Sequence, residues 1–379
     1  MSNDKLNIKS ILDSEKKKTF FSTTFELSKS KKRKFELIYF LIFLFIVLLV
    51  NISYSQSAGG GYSESYLLRD IGARPVAMAG AYVAISNEPF CLFYNPSGLS
   101  TLSEKPTFNS SFSFLSLNRT QSALAWGQEV AENVGIGLAV NNFTNASFTA
   151  RDANGNSIGS MTDWQYEIIG GAAYNIDFAS IGLGLKYISN ALIGSGTKAN
   201  GFGLDIGTKF NVMDLFTFGA SIQNVAGLMY WNTQTKERDI IPYTIRTGLG
   251  FEIGLNDETY TSRSTISGEM EQVDIPATRY ILIGIDGVMT QHENAPSVVL
   301  GVEAALHEVI AFRGGIELAG DDLNQYKLFP MNTWGAGVSL RPRKEDIDLP
   351  FRLNIDYSIS SDLLSINRVS QHISLMLEF

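Results

Sequence analysis

Three short patterns in the 379-residue chain resemble sites that bind phosphate, attack esters or hold calcium. Residues Gly201 to Gly207 (Gly-Phe-Gly-Leu-Asp-Ile-Gly) resemble a phosphate loop, but their glycines alternate with apolar residues, which is typical of a strand facing a crowded interior. Gly194-Ser195-Gly196 lacks the strand-to-helix elbow that exposes a nucleophilic serine. Residues Asp152 to Asp163 have the length of a calcium loop, yet Ser157 stands where that loop needs glycine. Asn154-Gly155 therefore predicts a hairpin turn.

The composition restricts the remaining chemistry. Cys91 is the single cysteine, so the sequence excludes an intrachain disulfide and a thiolate metal cluster. The three histidines, His292, His307 and His372, lie far apart. The residues after position 36 carry 20 basic and 33 acidic side chains, and neutralising phosphate needs a basic surface. We therefore expect no enzymatic activity, no cofactor, no bound metal and no nucleic-acid partner.

The N-terminal region has the order of a secretory signal. A basic run, Lys31 to Lys34, precedes an apolar run from Leu37 to Val50, which is followed by small polar residues. The apolar run has 14 residues, whereas a helix that spans a bilayer needs about 20. We expect residues 1–57 to be a signal peptide with a long n-region that is cleaved after Ser57. A permanent membrane anchor is the alternative, and a start site placed too far upstream would equally explain residues 1–30.

The remainder of the chain alternates like a series of strands. Residues Val134 to Asn141 place apolar side chains on one face and small ones on the other, and Phe351 to Ile359 confine their charges to one face. Fourteen such segments follow one another between Thr107 and Phe379. An exported chain with no further long apolar helix can enter a membrane only as a closed barrel. We predict an all-β, 14-stranded antiparallel transmembrane β-barrel over residues 107–379. A soluble β-sandwich is the alternative.

Two stretches of the predicted barrel differ from a plain series of strands and turns. Residues 254–278 are too long for a periplasmic turn, so either a periplasmic excursion lies there or strands have been missed. The final segment, Val369 to Phe379, alternates regularly and ends on an aromatic residue. It resembles the signal that outer-membrane barrels present to their assembly machinery. We therefore expect the bacterial cell outer membrane as location, its lipid and the barrel assembly machinery as partners, and Phe379 as the assembly signal.

A Gly- and Ala-rich block from Gly72 to Leu99 precedes the first predicted strand and includes the turn Asn95-Pro96-Ser97-Gly98. This block closely resembles the opening block of the PorV/PorQ family of outer-membrane barrels, and more distantly the hatch of the FadL family of hydrophobic-compound channels. Both families pair a helical segment with an Asn-Pro-Ala-Gly-like turn. Asn87-Glu88-Pro89 departs from the family, which usually carries aspartates there. Further similar blocks are Gly184 to Tyr187, Ser221 to Val225, Gly301 to Glu303 and Phe312 to Ile316.

The resemblance implies that residues 58–106 form a plug and that the protein takes part in type IX protein secretion. It would bind cargo domains and pass them to surface attachment proteins. A FadL-like passive channel for hydrophobic small molecules is the alternative, with the plug as ligand site, and a purely scaffolding barrel is a third. We expect Pro96 to fix the turn and Gly98 to supply positive φ. The candidate plug and ligand residues are Met78, Gly80, Tyr82, Phe93, Asn95, Pro96 and Gly98.

Aromatic side chains in the predicted outer loops are candidates for a docking surface. These are Tyr230, Trp231 and Phe329, and packing within the loops is the competing interpretation. The four tryptophans lie in or near strand ends, where membrane proteins carry interfacial aromatic residues, although they could also line an entry site. They are Trp126, Trp164, Trp231 and Trp334.

Overall fold

The structure of the protein is a computed structural model that describes residues 64–176, 178–212, 216–233, 238–256, 258–263, 270–275, 278–291, 296–318, 331–342, 349–362 and 365–379. The predicted signal peptide and its cleavage site lie outside these residues. Among the described residues, no helix is both long and apolar enough to cross a membrane.

Antiparallel strands make up most of the described chain. In chain order they are β1 (Thr107–Leu115), β2 (Arg119–Ala131), β3 (Val134–Thr144), β4 (Phe148–Arg151), β5 (Ser157–Ile176), β6 (Ala179–Ile193), β7 (Thr197–Val212), β8 (Phe216–Trp231), β9 (Arg238–Ile240), β10 (Thr244–Gly254), β11 (Glu258–Arg263), β12 (Met270–Ile275), β13 (Tyr280–Thr290), β14 (Ser297–His307), β15 (Ile310–Leu318), β16 (Met331–Leu340), β17 (Arg352–Asp362) and β18 (Ser365–Glu378).

Fourteen of these strands close into one barrel, which confirms the predicted fold class. Each pairs with its neighbour along the chain, and β1 closes the sheet by pairing with β18, from Thr107 opposite Glu378 to Phe114 opposite Gln371. The two short strands β4 and β9 are not counted among the fourteen, because β4 pairs only with β5 and β9 only with β8 in the described chain. A closed barrel leaves no unpaired edge, as a membrane-spanning sheet requires. The soluble sandwich is therefore excluded.

Alternation along the strands sorts the side chains into a lipid-facing and a lumen-facing set. In β1, Asn109, Ser111 and Ser113 are buried, whereas Phe108, Phe112 and Phe114 are exposed. Apolar residues outside and polar or small residues inside are the reverse of a soluble protein and typical of an outer-membrane barrel. The protein is accordingly a barrel of the bacterial outer membrane.

The two ends of the barrel differ. We call the end that holds Thr107 and Glu378 the terminal end and the opposite one the loop end. Connections at the terminal end are as short as Glu132 and Asn133, in line with the expected periplasmic turns. The exception, between β10 and β13, contains the separate hairpin of β11 and β12, which pair over six positions. The long segment noted in the sequence is thus an excursion at the terminal end, and its two strands were missed because they do not belong to the barrel sheet.

Aromatic rings mark both borders of the apolar outer surface. Towards the loop end, Tyr166 contacts Trp164 and Tyr187 at ring-centroid distances of 5.9 and 6.2 Å. At the terminal end, Phe379 contacts Phe108 and Phe351 at 5.9 and 5.5 Å. Such girdles lie at the two membrane interfaces of barrels. Trp164 belongs to the girdle near the loop end, in agreement with the sequence-based expectation for this residue.

Candidate functional site

Residues 64–102 pack inside the lumen. They contain one α-helix, α1 (Ala73–Ala77), and three 3-10 helices, Ser65–Leu68, Pro89–Phe93 and Pro96–Thr101. We call residues 64–68 the cap and residues 71–102 the plug. The plug is less helical than expected: Pro89 and Pro96 begin short 3-10 helices, and Gly80, at φ 88°, follows closely on α1.

Lumen-facing glycines bring the plug backbone directly onto the barrel wall. A Cβ atom on Gly301 would stand 2.8 Å from Met78 Cβ, and one on Gly284 would stand 2.9 Å from the Ala81 carbonyl oxygen. Both distances are too short for real side chains, so only glycine permits this approach. The plug therefore lies in direct contact with the wall at these glycines. The glycines that contact it, which we call the glycine belt, are Gly127, Gly135, Gly137, Gly171, Gly182, Gly207, Gly219, Gly248, Gly284, Gly301, Gly315, Gly335 and Gly337.

Buried polar contacts fix the plug to the wall at several heights. The Asp286 carboxylate accepts hydrogen bonds from the backbone N–H groups of Tyr82 and Val83, at 2.7 and 2.9 Å. Lys209 Nζ donates to the Ile85 carbonyl oxygen at 2.8 Å. Each contact joins a strand side chain to plug backbone, so these contacts determine where the plug lies.

A charged cluster lies on the terminal side of the glycine belt. Arg74, in α1, lies 2.7 Å from the Glu303 carboxylate, which also pairs with Arg313 and Arg341. Arg74 also donates to Asn87 Oδ1 at 2.7 Å. The departure from the family pattern at Asn87 and Glu88 therefore leaves polar anchors in place. Glu88 accepts hydrogen bonds from Tyr82 Oη and from Asn109 Nδ2.

The candidate plug residues occupy structural positions. Met78, Tyr82 and Phe93 are buried within the plug or against the wall. Asn95 accepts from the Ser97 N–H and donates to the carbonyl oxygens of Val83 and Thr208, so it caps the helix begun by Pro96. A Cβ atom on Gly80 would stand 2.6 Å from Asp70 Oδ2, so a larger residue does not fit there.

The expected reason for glycine at position 98, a positive φ, is wrong. Gly98 is not among the glycines with positive φ in the described chain. A Cβ at this position would overlap the Ser86 carbonyl oxygen and Cys91 Cβ. Glycine is needed here because two plug segments approach closely.

A packed apolar cluster, which we call the apolar chamber, lies on the loop side of the plug. It is lined by lumen-facing or inward-turned side chains of six residues: Leu115, Phe143, Ile188, Ala199, Met229 and Ile241. Tyr66 fills it, with 2% of its surface exposed, and stacks on Phe143 at a centroid distance of 6.1 Å and an interplanar angle of 25°. The lumen of outer-membrane barrels is usually polar. An apolar section with a few polar groups nearby is a candidate site for an apolar ligand.

A buried carboxyl group lies beside the cap. Glu64 accepts a hydrogen bond from Asn190 Nδ2 at 3.1 Å and has a left-handed backbone conformation, with φ 56°. Burial raises the pKa of Glu64 to about 7, and the neighbouring charges of Asp163 and Asp239 act in the same direction. The cap is therefore held by a group whose charge changes near neutral pH.

Sequence reasoning missed the chamber, although one signal for it was present. Phe143 follows Gly135, Gly137, Ala139 and Asn141 on the lumen face of β3, where the other side chains are small or polar. An apolar residue on that face, in two or more strands at the same end of the barrel, indicates an apolar chamber. Ile188 occupies the same kind of position in β6.

The candidate docking residues are not brought together in loops. Tyr230 and Trp231 lie within β8, which extends beyond its predicted end, so their placement in a loop is wrong. Trp231 packs against the apolar chamber and donates to Asp239 Oδ2 at 2.7 Å, whereas Tyr230 is exposed. Phe329 lies outside the described residues. Their role in docking stays a prediction.

Comparison with known proteins gives a limited result. No protein-family model and no curated protein matches the chain. Among solved structures, the chain is similar to the Ralstonia pickettii toluene transporter TbuX, with 14% identity, a TM-score of 0.47 and coverage of 83% of this chain and 98% of that one. A Pseudomonas aeruginosa FadL homologue shows 10% identity, a TM-score of 0.48 and coverage of 84% and 99%. The P. putida toluene transporter TodX shows 12%, 0.48, 82% and 97%. These similarities concern the overall fold alone and carry no information about the ligand.

Proposed function

We propose that the protein is a FadL-like outer-membrane channel for hydrophobic small molecules and that the apolar chamber is its ligand site. The observation that carries the proposal is the stacking of Tyr66 on Phe143 in an apolar section of the lumen at the loop end. The Tyr66 side chain takes the place that an apolar ring or chain of a ligand would occupy. A site of this kind gains its affinity from removing apolar surface from water.

The structure is a closed form of such a channel. Short turns of outer-membrane barrels face the periplasm, so the loop end faces outwards and the chamber is the first apolar site an incoming molecule meets. A ligand must displace Tyr66 and Leu67 to enter. Further passage requires movement of the plug, because the glycine belt leaves no room beside its backbone.

The secretion role implied by the PorV/PorQ resemblance stays a prediction. No described contact favours it, and its candidate anchors, Tyr230, Trp231 and Phe329, do not form a joint surface among the described residues. That the protein is not an enzyme also stays an expectation, in keeping with the channel proteins to which it is similar.

Uptake by cells that lack the gene separates the two functions. Restoring the gene should restore uptake of a radiolabelled hydrophobic compound, and Met229→Gln should reduce it about tenfold because it places an amide in the apolar chamber. Met289→Gln is the matched control, since Met289 lies on β13 outside the chamber. Surface display of secreted cargo is measured in the same strains. Normal uptake in the deletion strain together with loss of cargo display would overturn the channel proposal.

A further inference from the structure

The wall around α1 is of two kinds. On β16, Gly335 and Gly337 lie directly against Val76 and Ala77, like the other glycines of the belt. Strands β17 and β18, which also contact α1, and the next strand, β1, instead carry mostly polar side chains on the lumen face. These are Asn109, Ser111, Ser113, Asn354, Asp356, Ser358, Ser360, Ser370, His372 and Ser374. We call this strip the polar seam.

Several polar atoms of the seam have no hydrogen-bond partner among the described residues. They are Ser358 Oγ and Asn354 Oδ1 on β17, and Ser111 Oγ and Asn109 Oδ1 on β1. Ser358 is fully buried, and Ser111 and Asn109 are more than nine-tenths buried. Buried polar side chains almost always have a partner, in the protein or in ordered water. Groups of this kind on the two strands that flank β18 indicate a place that polar molecules visit.

The seam begins at a cavity beside α1 and ends at the terminal end of the barrel. A cavity of about 90 Å³ lies on the loop side of α1, lined among others by Arg69, Asp70, Glu317, Ser360 and His372. His372, on β18, contacts both flanking strands. Its Nδ1 lies 2.7 Å from Ser113 Oγ on β1, and its Nε2 lies 3.0 Å from Ser360 Oγ on β17.

The remaining seam residues continue from this cavity towards the opposite end. Asn354 and Asn109 both pair with Met376, two positions before the end of β18. Polar groups therefore run from one side of the plug to the other.

We propose that the polar seam carries water and small polar solutes past the plug, as an activity separate from uptake through the apolar chamber. Small hydroxyl and amide groups exchange hydrogen bonds with water at little cost, whereas the apolar contacts of the glycine belt exclude it. The seam is narrow in this conformation because α1 covers it, with the Ala73 N–H donating to Ser374 Oγ at 2.8 Å. Only small molecules would pass.

Cysteine reactivity tests the route in the purified full-length protein. Ser111→Cys and Ser358→Cys are made in a Cys91→Ser background and treated with the small, water-soluble reagent methanethiosulfonate ethylammonium. Ala139→Cys is the matched control, since Ala139 faces the lumen and is 1% exposed but packs with apolar plug residues. The seam cysteines should react at least tenfold faster than the control. Equal rates would overturn the proposal.

Water permeability provides the functional readout. In liposomes that contain the folded protein, replacing Ser111 and Ser358 by Leu should lower the osmotic water permeability at least fivefold, while Ser110→Leu on the opposite face of β1 should leave it unchanged. Uptake of hydrophobic compounds is measured in parallel and should not change. Permeability equal to that of the unmodified protein in the double variant would contradict the seam and leave the channel proposal intact.

Discussion

Arg74, in the short helix of the plug, lies 2.7 Å from the carboxylate of Glu303, which is fully buried on the barrel wall. Arg313 and Arg341 pair with the same carboxylate. One acidic group of the wall thus holds two cations of the wall and one of the plug. The contact couples the position of α1 to the barrel.

The coupling predicts a loss of stability in Arg74→Ala. Glu303 keeps two arginines, so we expect a decrease in the free energy of unfolding of about 2 kcal/mol rather than the larger loss of an unpaired buried charge. Urea unfolding of the reconstituted barrel measures it. Arg352→Ala is the control, since Arg352 pairs with Glu378 at 3.6 Å on the surface and should cost less than about 1 kcal/mol. Equal losses in both variants would contradict the coupling.

The glycine belt predicts that one added side chain opens the barrel. Gly301→Val would place its side chain against Met78 and Ala81, so we expect the plug to be displaced while the strands stay paired. Cells that produce this variant should become sensitive to large polar antibiotics. Gly170→Val is the matched control, because a Cβ at Gly170 meets no atom within 4 Å. A variant that folds, as shown by heat-modifiable migration on gels, but remains impermeable would contradict the account of the plug.

The cap should respond to pH through Glu64. The pKa of Glu64 is about 7 when the cap is packed, compared with 4.5 for a glutamate side chain in water. The packed cap therefore binds the proton more tightly, and its stability is fully present below about pH 4.5 and declines as pH rises towards 7. Affinity for a hydrophobic probe should rise over this interval because release of the cap empties the chamber.

A neutral replacement tests this pH dependence. Glu64→Gln should remove the change in affinity between pH 5 and 8, whereas Glu104→Gln, at an exposed position, should retain it. The same profile in Glu64→Gln and in the unmodified protein would show that another group controls the cap.

Phe379 is expected to matter for assembly. Its ring lies edge-on to Phe108 and beside Phe351, where β18 closes the barrel against β1 and β17. Phe379→Ala should lower the amount of folded barrel in the outer membrane several-fold, because aromatic pairs add about 1 kcal/mol beyond their area and the residue is the predicted assembly signal. Phe114→Ala, at an exposed site on β1, is the control. Unchanged heat-modifiable protein in Phe379→Ala would count against the signal.

The barrel could be predicted from the sequence because its information is local. Alternation of side chains within each strand, such as Val134 to Asn141, determines which face meets lipid, and each strand pairs with the next one. Nothing local shows that the hairpin of β11 and β12 lies outside the barrel sheet. The number of barrel strands was therefore easier to predict than which segments form strands outside the barrel.

The chamber and the plug contacts could not be predicted in the same way. Phe143, Ile188 and Met229 meet only through the register of five neighbouring strands, and Tyr66 reaches them from a segment without regular strands. The requirement for glycine at Gly98 likewise comes from Ser86 and Cys91, which approach it only in the folded plug. The alternation within a strand predicts whether a residue faces the lumen. Which residues then contact one another depends on the folded barrel and plug.

Binding of a hydrophobic probe to a protein without the Tyr66 ring tests the central claim most directly. The fluorescence of 1-N-phenylnaphthylamine is titrated with purified unmodified protein, Tyr66→Ala and the control Tyr230→Ala, whose ring is exposed outside the chamber. Removing the ring that fills the chamber should tighten binding about tenfold, since burying such a ring is worth about 1.5–3 kcal/mol, and the control should bind like the unmodified protein. Failure of folded Tyr66→Ala to bind the probe more tightly than the control would contradict the claim that the chamber is a ligand site.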